Sequence, residues 1–281
     1  MGYNTALFCA RLRLRGIPNL INMDGMEWAR AKWGPLARGW FWLNDWAGCW
    51  LGNSLIADHP RIEAHLRTRV APAKITMIPY GAEELVSVSD EPVRKLGLEP
   101  GRFMTVIARA EPENSILEVV EGFSAMPRGI TLAVLGDYDP ANAYHRRVRA
   151  RAGAEVAFLG AIYDREVVQA LRFHCMAYVH GHRVGGTNPS LVEAPGAGNP
   201  VIAHDNPYNR WVAGAAAVYF RSPGGFSACV AALASFEQKR SWLSARARER
   251  FRASFQWPDV LARYESLLLE QLPPASRSTG R

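Results

Sequence analysis

A glycine-rich loop followed by a helix start is the part of the sequence best suited to binding an anion. Residues 180–214 read HGHRVGGTNPSLVEAPGAGNPVIAHDNPYNRWVAG. Glycine lets the backbone approach a ligand closely, and the N–H groups of a helix start favour phosphate. Thr187 or Asn188 is expected to cap this helix, with Pro189 in its first turn. The same pattern also occurs as plain architecture, and what favours a ligand is Glu193, whose carboxylate could reach sugar hydroxyls.

Arg109 is a second candidate, in the segment VIARAEPENSILEVVEGF of residues 106–123. It directly follows a predicted strand, and a helix is predicted to begin near Ser115. The guanidinium is therefore expected at the carboxyl edge of a sheet, where open α/β folds bind ligands. Its planar fork suits a diphosphate. The alternative is a surface ion pair with Glu111 or Glu113.

Two histidines, His180 and His182, flank Gly181 just after a predicted strand. Two ligands with no third in view make a poor metal site, so metal binding is not expected. The preferred interpretation is a hydrogen bond from either imidazole to a ligand hydroxyl or phosphate.

The composition is that of a globular protein and excludes disorder for most of the chain. Of 281 residues, 48% are hydrophobic and 21% are charged. No run reaches the roughly 18 apolar residues of a membrane-spanning helix, so a soluble or peripheral protein is expected. The cysteines contain no C-x-x-C pair, which argues against a zinc knuckle or a redox dithiol and fits a reducing cytosol. They are Cys9, Cys49, Cys175 and Cys229.

The formal net charge of +7 fits a polyanionic partner, an anionic membrane or a solvated surface. The basic residues between 239 and 252 are interpreted as a solvated helix face. Nucleic-acid binding is disfavoured, because no strand platform combining aromatic and basic residues is visible.

Short apolar or β-branched runs alternate with helical patterns, which predicts a parallel sheet covered by helices on both faces. Strands are predicted at 19–22, 54–57, 75–78, 103–107, 131–135, 156–159, 177–179 and 200–203. Helices are predicted at 33–50, 60–68, 116–126, 141–152, 164–173, 190–197, 207–212, 226–236, 241–254 and 257–270. A polar stretch at 81–100 indicates a domain boundary, and the tail 273–281 is expected to be frayed.

Six of the nine tryptophans lie between residues 28 and 50. Trp42, Trp46 and Trp50 fall four residues apart and hence on one helical face. Core packing is the preferred interpretation. The alternative is an interfacial helix with indoles at the lipid headgroups and Arg30, Lys32 and Arg38 on anionic lipid.

Segments spread over nearly the whole chain resemble the GT-B glycosyltransferases of family 4, and more narrowly their bacterial rhamnosyltransferase-type members. They are NMDGMEWARAKWG (22–34), ADHPRIEAHL (57–66), ITMIPYGAE (75–83), ARAEPEN (108–114) and GGTNPSLVEA (185–194). The resemblance implies two Rossmann-like domains, of which the second binds the nucleotide sugar. It divides the chain into a partial acceptor-side domain (1–84), a complete donor-binding domain (85–256) and a C-terminal helix and tail (257–281) that could cross back to the first domain. The chain is expected to lack the start of its first domain.

The resemblance also implies roles for individual residues. Arg109 would contact the donor diphosphate and Glu193 would bond the nucleotide ribose, and these two are assigned as the catalytic pair. The remaining donor pocket would comprise Gly185, Gly186, Thr187, Asn188, Ser190, Leu191 and His182. Asp24 and Glu27 would face the acceptor.

The sequence departs from the family pattern at several positions. Gly185 stands in place of an acid, Asn114 in place of a common lysine, and Trp211 where relatives tend to be acidic. Pro195 lies inside the predicted donor helix and is expected to shorten it.

The activity that the resemblance implies is retaining transfer of a hexosyl unit, with dTDP-rhamnose as the expected donor. The acceptor would be a saccharide or a lipid-linked saccharide in surface-polysaccharide synthesis. No metal or cofactor is expected, and the protein would be cytoplasmic, at the inner face of the cell membrane if it is peripheral. The alternative is a truncated, non-catalytic remnant that binds nucleotide sugars and is completed by a partner chain.

Overall fold

The computed structural model describes residues 2–30 and 32–272, so the tail predicted to fray lies outside the described residues. The chain divides into two compact units. The first unit comprises Met1–Pro79 and Trp257–Arg281, and the second comprises Tyr80–Gln256. The C-terminal helix therefore clusters with the first unit.

The first unit is built on a parallel sheet with the strand order β1-β2-β3. Its strands are Leu20–Asn22 (β1), Ser54–Ala57 (β2) and Ile75–Met77 (β3). Its helices are Ala10–Leu14 (α1), Pro35–Leu51 (α2), Pro60–Leu66 (α3) and Trp257–Leu269 (α12). Because neighbouring residues of a strand point to opposite faces, Leu55 joins one core whereas Ile56 packs with Val260 and Leu267 of α12.

The outer face of α2 carries the tryptophans that the sequence analysis assigned to the core. Trp42 is 50% exposed and Trp50 is 66% exposed, so core packing is wrong for these two side chains. Trp46 lies between them, with ring centroids 6.2 Å from Trp42 and 5.5 Å from Trp50. The opposite face of α2 provides the buried residues, which include Asn44, Asp45, Ala47, Gly48 and Cys49. Small residues on the buried face let α2 lie close to its neighbours and leave the bulky indoles outside.

The second unit contains a parallel sheet with the strand order β6-β5-β4-β7-β8-β9. Its strands are Phe103–Ile107 (β4), Thr131–Leu135 (β5), Val156–Gly160 (β6), Ala177–His180 (β7), Val201–His204 (β8) and Ala217–Phe220 (β9). Its helices are Glu91–Lys95 (α4), Ile116–Ser124 (α5), Ala143–Ala150 (α6), Arg165–His174 (α7), Pro189–Gly196 (α8), Pro207–Ala213 (α9), Pro223–Ser235 (α10) and Glu237–Ser254 (α11). The predicted fold class, a parallel α/β sheet of the Rossmann type, is confirmed.

Both faces of this sheet are covered by helices. Alternate residues of β4 show the division: Val106 packs with α5 and α10, whereas Phe103 packs with α4 and α7. Tyr178 of β7 lies in a third core with α8 and α11. A parallel sheet whose strands are buried on both faces reads as nearly continuous apolar runs, which is why these strands could be predicted.

The predicted bounds of β2, β4 and β5 match the observed ones. The helices α1 and α4 were not predicted, and α4 lies in the polar stretch 81–100 that was interpreted as a domain boundary. β9 was not predicted, because it is a four-residue strand that pairs only with β8 and follows an alanine run that favours helix. Helix α8 extends through Pro195 and ends at Gly196. Gly196 packs against the carbonyl oxygen of Glu83, where a side chain would not fit.

Candidate functional site

The strand order of the second unit reverses between β4 and β7. β4 pairs with β5 on one side and with β7 on the other, and the later strands continue outward from β7. In open parallel sheets the crevice at the carboxyl ends of such strands binds ligands. The segments that leave these ends are residues 108–115, which we name the β4 loop, and residues 181–188, which we name the β7 loop. They are the two segments that the sequence analysis selected.

The two loops are in direct contact. Gly181 lies against the carbonyl oxygen of Asn114 so closely that a Cβ atom would overlap it. The backbone N–H of Arg183 donates to the carbonyl oxygen of Glu113 (2.9 Å), and its Nε donates to Oγ of Ser115 (2.8 Å). The guanidinium of Arg183 also pairs with Glu118. The loops are therefore positioned as one structure.

The β4 loop is held in a strained backbone conformation. Ser115 has φ of +52°, a left-handed value that no other non-glycine residue of the described chain adopts. Such a residue costs on the order of 1–3 kcal/mol and persists where the surroundings fix it. Nδ2 of Asn114 donates to the carbonyl oxygen of Arg109 (2.8 Å), which closes the loop on itself. The asparagine at position 114 thus supports the loop that presents Arg109.

Arg109 extends into solvent at the end of β4. Its side chain is 69% exposed, and Nη1 lies 3.3 Å from Oε1 of Glu111. The ion pair that the sequence analysis considered is therefore present, but an exposed pair contributes about 0–1 kcal/mol and gives way readily to a stronger anion. Arg109 also lines a cavity of about 330 Å³ together with Asp137, Tyr144 and His145.

The start of α8 confirms the predicted cap. Oδ1 of Asn188 accepts a hydrogen bond from the N–H of Ser190 (3.0 Å), and Pro189 occupies the first turn. The N–H of Leu191 donates to the carbonyl oxygen of Asn188 (3.0 Å), and the Leu191 side chain is buried in the core. Both of these helix-start amides therefore already have partners within the loop, as does the buried Thr187.

The β7 loop also contains two consecutive glycine amides without a partner among the described residues. Within residues 2–30 and 32–272, the N–H groups of Gly185 and Gly186 have no hydrogen-bond partner. An anion at the β7 loop would be bound by these two donors rather than by the capped turn of α8.

Glu193 is bound by an arginine that the sequence analysis did not select. Oε2 of Glu193 lies 2.5 Å from Nη2 of Arg172, on α7. The side chain of Glu193 is 42% exposed, whereas that of Arg172 is 7% exposed. The ion pair thus joins a buried cation on α7 to a partly exposed carboxylate on α8. Arginine on an amphipathic helix usually faces solvent, so the sequence carried no signal for Arg172.

His180, the last residue of β7, and His182 of the β7 loop stack on each other. The ring centroids of His180 and His182 are 4.3 Å apart and their planes differ by 9°. His180 is fully buried, and neither of its ring nitrogens has a hydrogen-bond partner in the described structure. The carbonyl oxygen of His182 accepts from Nδ2 of Asn206 (2.9 Å) and of Asn209 (2.8 Å). Burial lowers the pKa of His180 well below its ordinary value of 6.5, and the neighbouring His182 adds to this shift.

The shift of His180 predicts that stability falls in mild acid. The folded state keeps this imidazole neutral, and the unfolded chain takes up a proton below about pH 6.5, so the free energy of unfolding falls by about 1.4 kcal/mol per pH unit in that range. His180→Gln is expected to lose less stability than the wild type between about pH 7.5 and pH 5 in urea titrations. Equal slopes for the wild type and His180→Gln would contradict the assignment.

The predicted acceptor residues lie in the first unit. Glu27 accepts hydrogen bonds from Nη1 of Arg30 (2.5 Å) and from Nε1 of Trp33 (2.8 Å). Its backbone N–H donates to the hydroxyl of Tyr3 (2.8 Å). Asp24 lies in the loop after β1 and also has a partner within the protein. Glu27 is thus held by internal contacts.

The described residues contain no group of three or more histidine, cysteine or acidic side chains arranged to bind a metal ion. No helix of the described chain is long and apolar enough to cross a membrane.

Comparison with known proteins identifies the fold. Neither a protein-family model nor a curated protein sequence matches this chain. Among solved structures, HepE of Anabaena in complex with UDP matches with a TM-score of 0.79 at 13% identity, covering 95% of this chain and 77% of HepE. Sucrose-phosphate synthase of Thermosynechococcus elongatus matches with a TM-score of 0.76 at 18% identity, covering 96% of this chain and 72% of that enzyme.

A third solved structure also matches this chain. A mutant of TarM of S. aureus, in complex with fondaparinux, α-GlcNAc-glycerol and UDP, has a TM-score of 0.69 at 12% identity and covers 89% of this chain and 50% of TarM. These proteins are GT-B glycosyltransferases, and the chain has their Rossmann-like GT-B fold.

Proposed function

We propose that this protein binds a nucleoside-diphosphate sugar at the β4 and β7 loops and transfers its hexosyl unit to an acceptor hydroxyl. The observation that carries the proposal is the contact between the two loops at the point where the strand order reverses. One loop presents the exposed guanidinium of Arg109, and the other presents the unpaired amides of Gly185 and Gly186. A guanidinium and backbone amides on two adjoining loops suit a diphosphate, because each binds oxygens that bear negative charge.

In the proposed reaction the bond between the anomeric carbon and the diphosphate oxygen breaks, and a bond forms between that carbon and the acceptor oxygen. The acceptor hydroxyl gives its proton to an oxygen of the departing diphosphate, and the nucleoside diphosphate leaves with the electron pair of the broken bond. The charge that develops on the leaving oxygen is where fixed hydrogen-bond donors lower the barrier. Arg109 and the glycine amides supply that stabilisation, while Glu193 orients the nucleotide. Retention of the anomeric configuration is part of the proposal.

The proposed donor is dTDP-rhamnose, and the proposed acceptor is a saccharide or lipid-linked saccharide. Support for the family 4 assignment and the rhamnosyltransferase-type subgroup comes from the five resembling segments, which follow the family order along the chain. Support for a nucleotide sugar comes from HepE, which has also been solved in complex with UDP-glucose.

Activity assays with separate donors test the proposed function. The protein is incubated with dTDP-rhamnose, UDP-glucose or GDP-mannose, with and without a lipid-linked saccharide, and release of nucleoside diphosphate is measured. We expect release from one donor that increases when the acceptor is added. Donor binding without release, with or without acceptor, would contradict the transferase and support the non-catalytic nucleotide-sugar-binding alternative.

We also propose that α2 lies on an anionic membrane surface, where a lipid-linked acceptor would be reached. Its outer face is apolar, with Leu36, Trp42, Leu43 and Trp50 exposed. The one acidic residue of α2, Asp45, is buried. Exposed apolar patches of this kind mark interaction sites, and indoles favour the headgroup region.

Cations lie beside this face. Nζ of Lys74, which is partly exposed, donates to the carbonyl oxygen of Cys49 (2.6 Å), next to Trp50. Arg69 stacks on Trp46, but its side chain is only 7% exposed and is paired with Asp45 (2.6 Å), so its charge is not available to lipid. Arg38 is anchored to the carbonyl oxygen of Trp28 (2.9 Å). Basic residues around an apolar face favour anionic lipid by about 1 kcal/mol each.

Sedimentation with vesicles measures this association. The protein is expected to sediment with phosphatidylcholine vesicles that contain phosphatidylglycerol and much less with phosphatidylcholine alone. Replacing Trp42 and Trp50 together by serine should weaken binding by about tenfold or more. Trp242→Ser, at an exposed indole of the second unit, is the matched control. Equal binding by the double variant and the control would overturn this part of the proposal.

A further inference from the structure

We infer that Arg172 is a positioning residue that fixes one oxygen of Glu193 and leaves the other to accept hydrogen bonds from the nucleotide ribose. This inference rests on the proposed function, because it assumes that a nucleotide binds at the β4 and β7 loops. The argument begins with the burial of the guanidinium. A buried charge is costly unless a partner of opposite charge and further hydrogen bonds stabilise it, so the position of such a group is strongly constrained.

Two contacts fix the guanidinium of Arg172. Its Nη2 lies 2.5 Å from Oε2 of Glu193 and donates to Oγ of Ser190 (3.0 Å). Ser190 and Glu193 belong to successive turns of α8, so the arginine joins α7 to the first two turns of the donor helix.

The backbone of Arg172 is held as well. Its carbonyl oxygen accepts from Nδ2 of Asn199 (2.7 Å) and from Sγ of Cys175 (3.2 Å). Asn199 lies between α8 and β8 and is buried. Both the guanidinium and the backbone carbonyl of Arg172 are therefore held by contacts within the protein.

The carboxylate of Glu193 is bound on one side only. Oε2 contacts Arg172, whereas Oε1 has no hydrogen-bond or ion-pair partner within residues 2–30 and 32–272. A carboxylate oxygen accepts hydrogen bonds but cannot donate them. The sugar of a nucleotide presents hydroxyl donors, two adjacent ones in the ribose of UDP and the 3′-hydroxyl alone in the deoxyribose of dTDP. Without the arginine, Glu193 would be a flexible, solvated side chain. With it, the free oxygen is held in one place before the nucleotide arrives.

Paired nucleotides test the inference. The probes are UDP and 2′,3′-dideoxyuridine diphosphate, which differ only in the ribose hydroxyls, and calorimetry gives the dissociation constant of each. Hydrogen bonds to a charged acceptor contribute about 1.5–3 kcal/mol, so the wild type is expected to prefer UDP by about tenfold or more. In Arg172→Met this preference is expected to fall below about threefold, while the affinity for the dideoxy probe stays close to that of the wild type.

Two further variants keep the test decisive. Arg172→Lys retains the buried charge and provides for the case in which Arg172→Met does not fold. Its single ammonium group cannot reproduce the guanidinium fork, and its preference for UDP should be at least about threefold smaller than that of the wild type. Arg128→Met is the control, because Arg128 bonds the carbonyl oxygens of Gly122 and Phe123 away from the loops. It should keep the wild-type preference.

The results that would contradict this inference differ from those that would contradict the proposed function. An unchanged preference for UDP in the Arg172 variants would show that the arginine only supports the fold. A wild type that binds both probes equally would show that Glu193 does not contact the ribose, and would overturn the inference while leaving diphosphate binding intact. If neither uridine probe binds, dTDP and 3′-deoxythymidine diphosphate, which differ only in the 3′-hydroxyl, replace them. Absence of binding to both pairs would count against the proposed function itself.

Discussion

Arg109→Ala is expected to weaken UDP binding by about 10- to 100-fold and to leave the free energy of unfolding unchanged within about 1 kcal/mol. The first effect follows from the loss of a charge-assisted hydrogen bond to the diphosphate. The second follows from the exposure of the side chain and from its weak ion pair with Glu111. Calorimetry with UDP and urea titration measure the two quantities. A variant that loses stability and affinity together would indicate a structural role instead.

The chain offers a closely matched control for this variant. The side chain of Arg151 is 68% exposed, and its Nε lies 3.3 Å from Oε1 of Glu121. It therefore resembles Arg109 in exposure and in its ion pair. It lies after α6, outside the β4 and β7 loops. Arg151→Ala changes the net charge by the same amount and should leave UDP affinity within about twofold of the wild type. Equal losses of UDP affinity in both variants would show that UDP binding depends only on the net charge of the protein.

Gly181→Ala is expected to abolish measurable UDP binding and to destabilise the second unit by about 1–3 kcal/mol. The added methyl group would overlap the carbonyl oxygen of Asn114, which belongs to the backbone and cannot rotate away. The β7 loop would have to move away from the β4 loop, which would change the spacing between the donors on the two loops. Calorimetry at several protein concentrations gives the affinity, and urea titration gives the stability.

Gly122→Ala separates the loss of geometry from the loss of stability. Gly122 lies on α5, and a Cβ atom there would overlap the carbonyl oxygen of Pro223 at the start of α10. The steric conflict is of the same kind, but it separates two helices instead of the two loops. This variant is expected to be destabilised by a comparable amount and to bind UDP normally while folded. Normal UDP binding by Gly181→Ala would contradict the account.

The sequence predicted the sheet well because burial dictates the composition of its strands. Phe103–Ile107 and Thr131–Leu135 are apolar on both faces, and no other element tolerates such runs between polar turns. The loops at the carboxyl ends of β4 and β7 followed from the same reasoning. The order of the strands did not, because periodicity carries no information on which strands pair.

The sequence could not reveal which groups in the loops already have partners. Asn188 was predicted to cap α8, but only the structure shows that this cap and Leu191 use the helix-start amides and leave those of Gly185 and Gly186 unpaired. Arg172 looked like any helical arginine, although it is buried against Glu193. Contacts between residues far apart in the chain depend on side-chain positions, which a single sequence does not specify.

For the tryptophans of α2, the spacing was interpreted correctly but the burial was not. Their four-residue spacing was correctly interpreted as one helical face, and that face was assigned to the core because large apolar residues are usually buried. The structure buries the small residues of α2 instead. Spacing identified the face but could not decide which side of the helix meets the sheet.

Hydrogen–deuterium exchange with bound nucleotide tests the central claim most directly. The protein is compared with and without saturating UDP, dTDP or GDP, and exchange is followed peptide by peptide. For at least one nucleotide, the account predicts slower exchange in both the β4 loop and the β7 loop, with Gly185 and Gly186 among the protected amides. Protection confined to one loop, protection elsewhere in the chain, or no protection by any of the three nucleotides would contradict it.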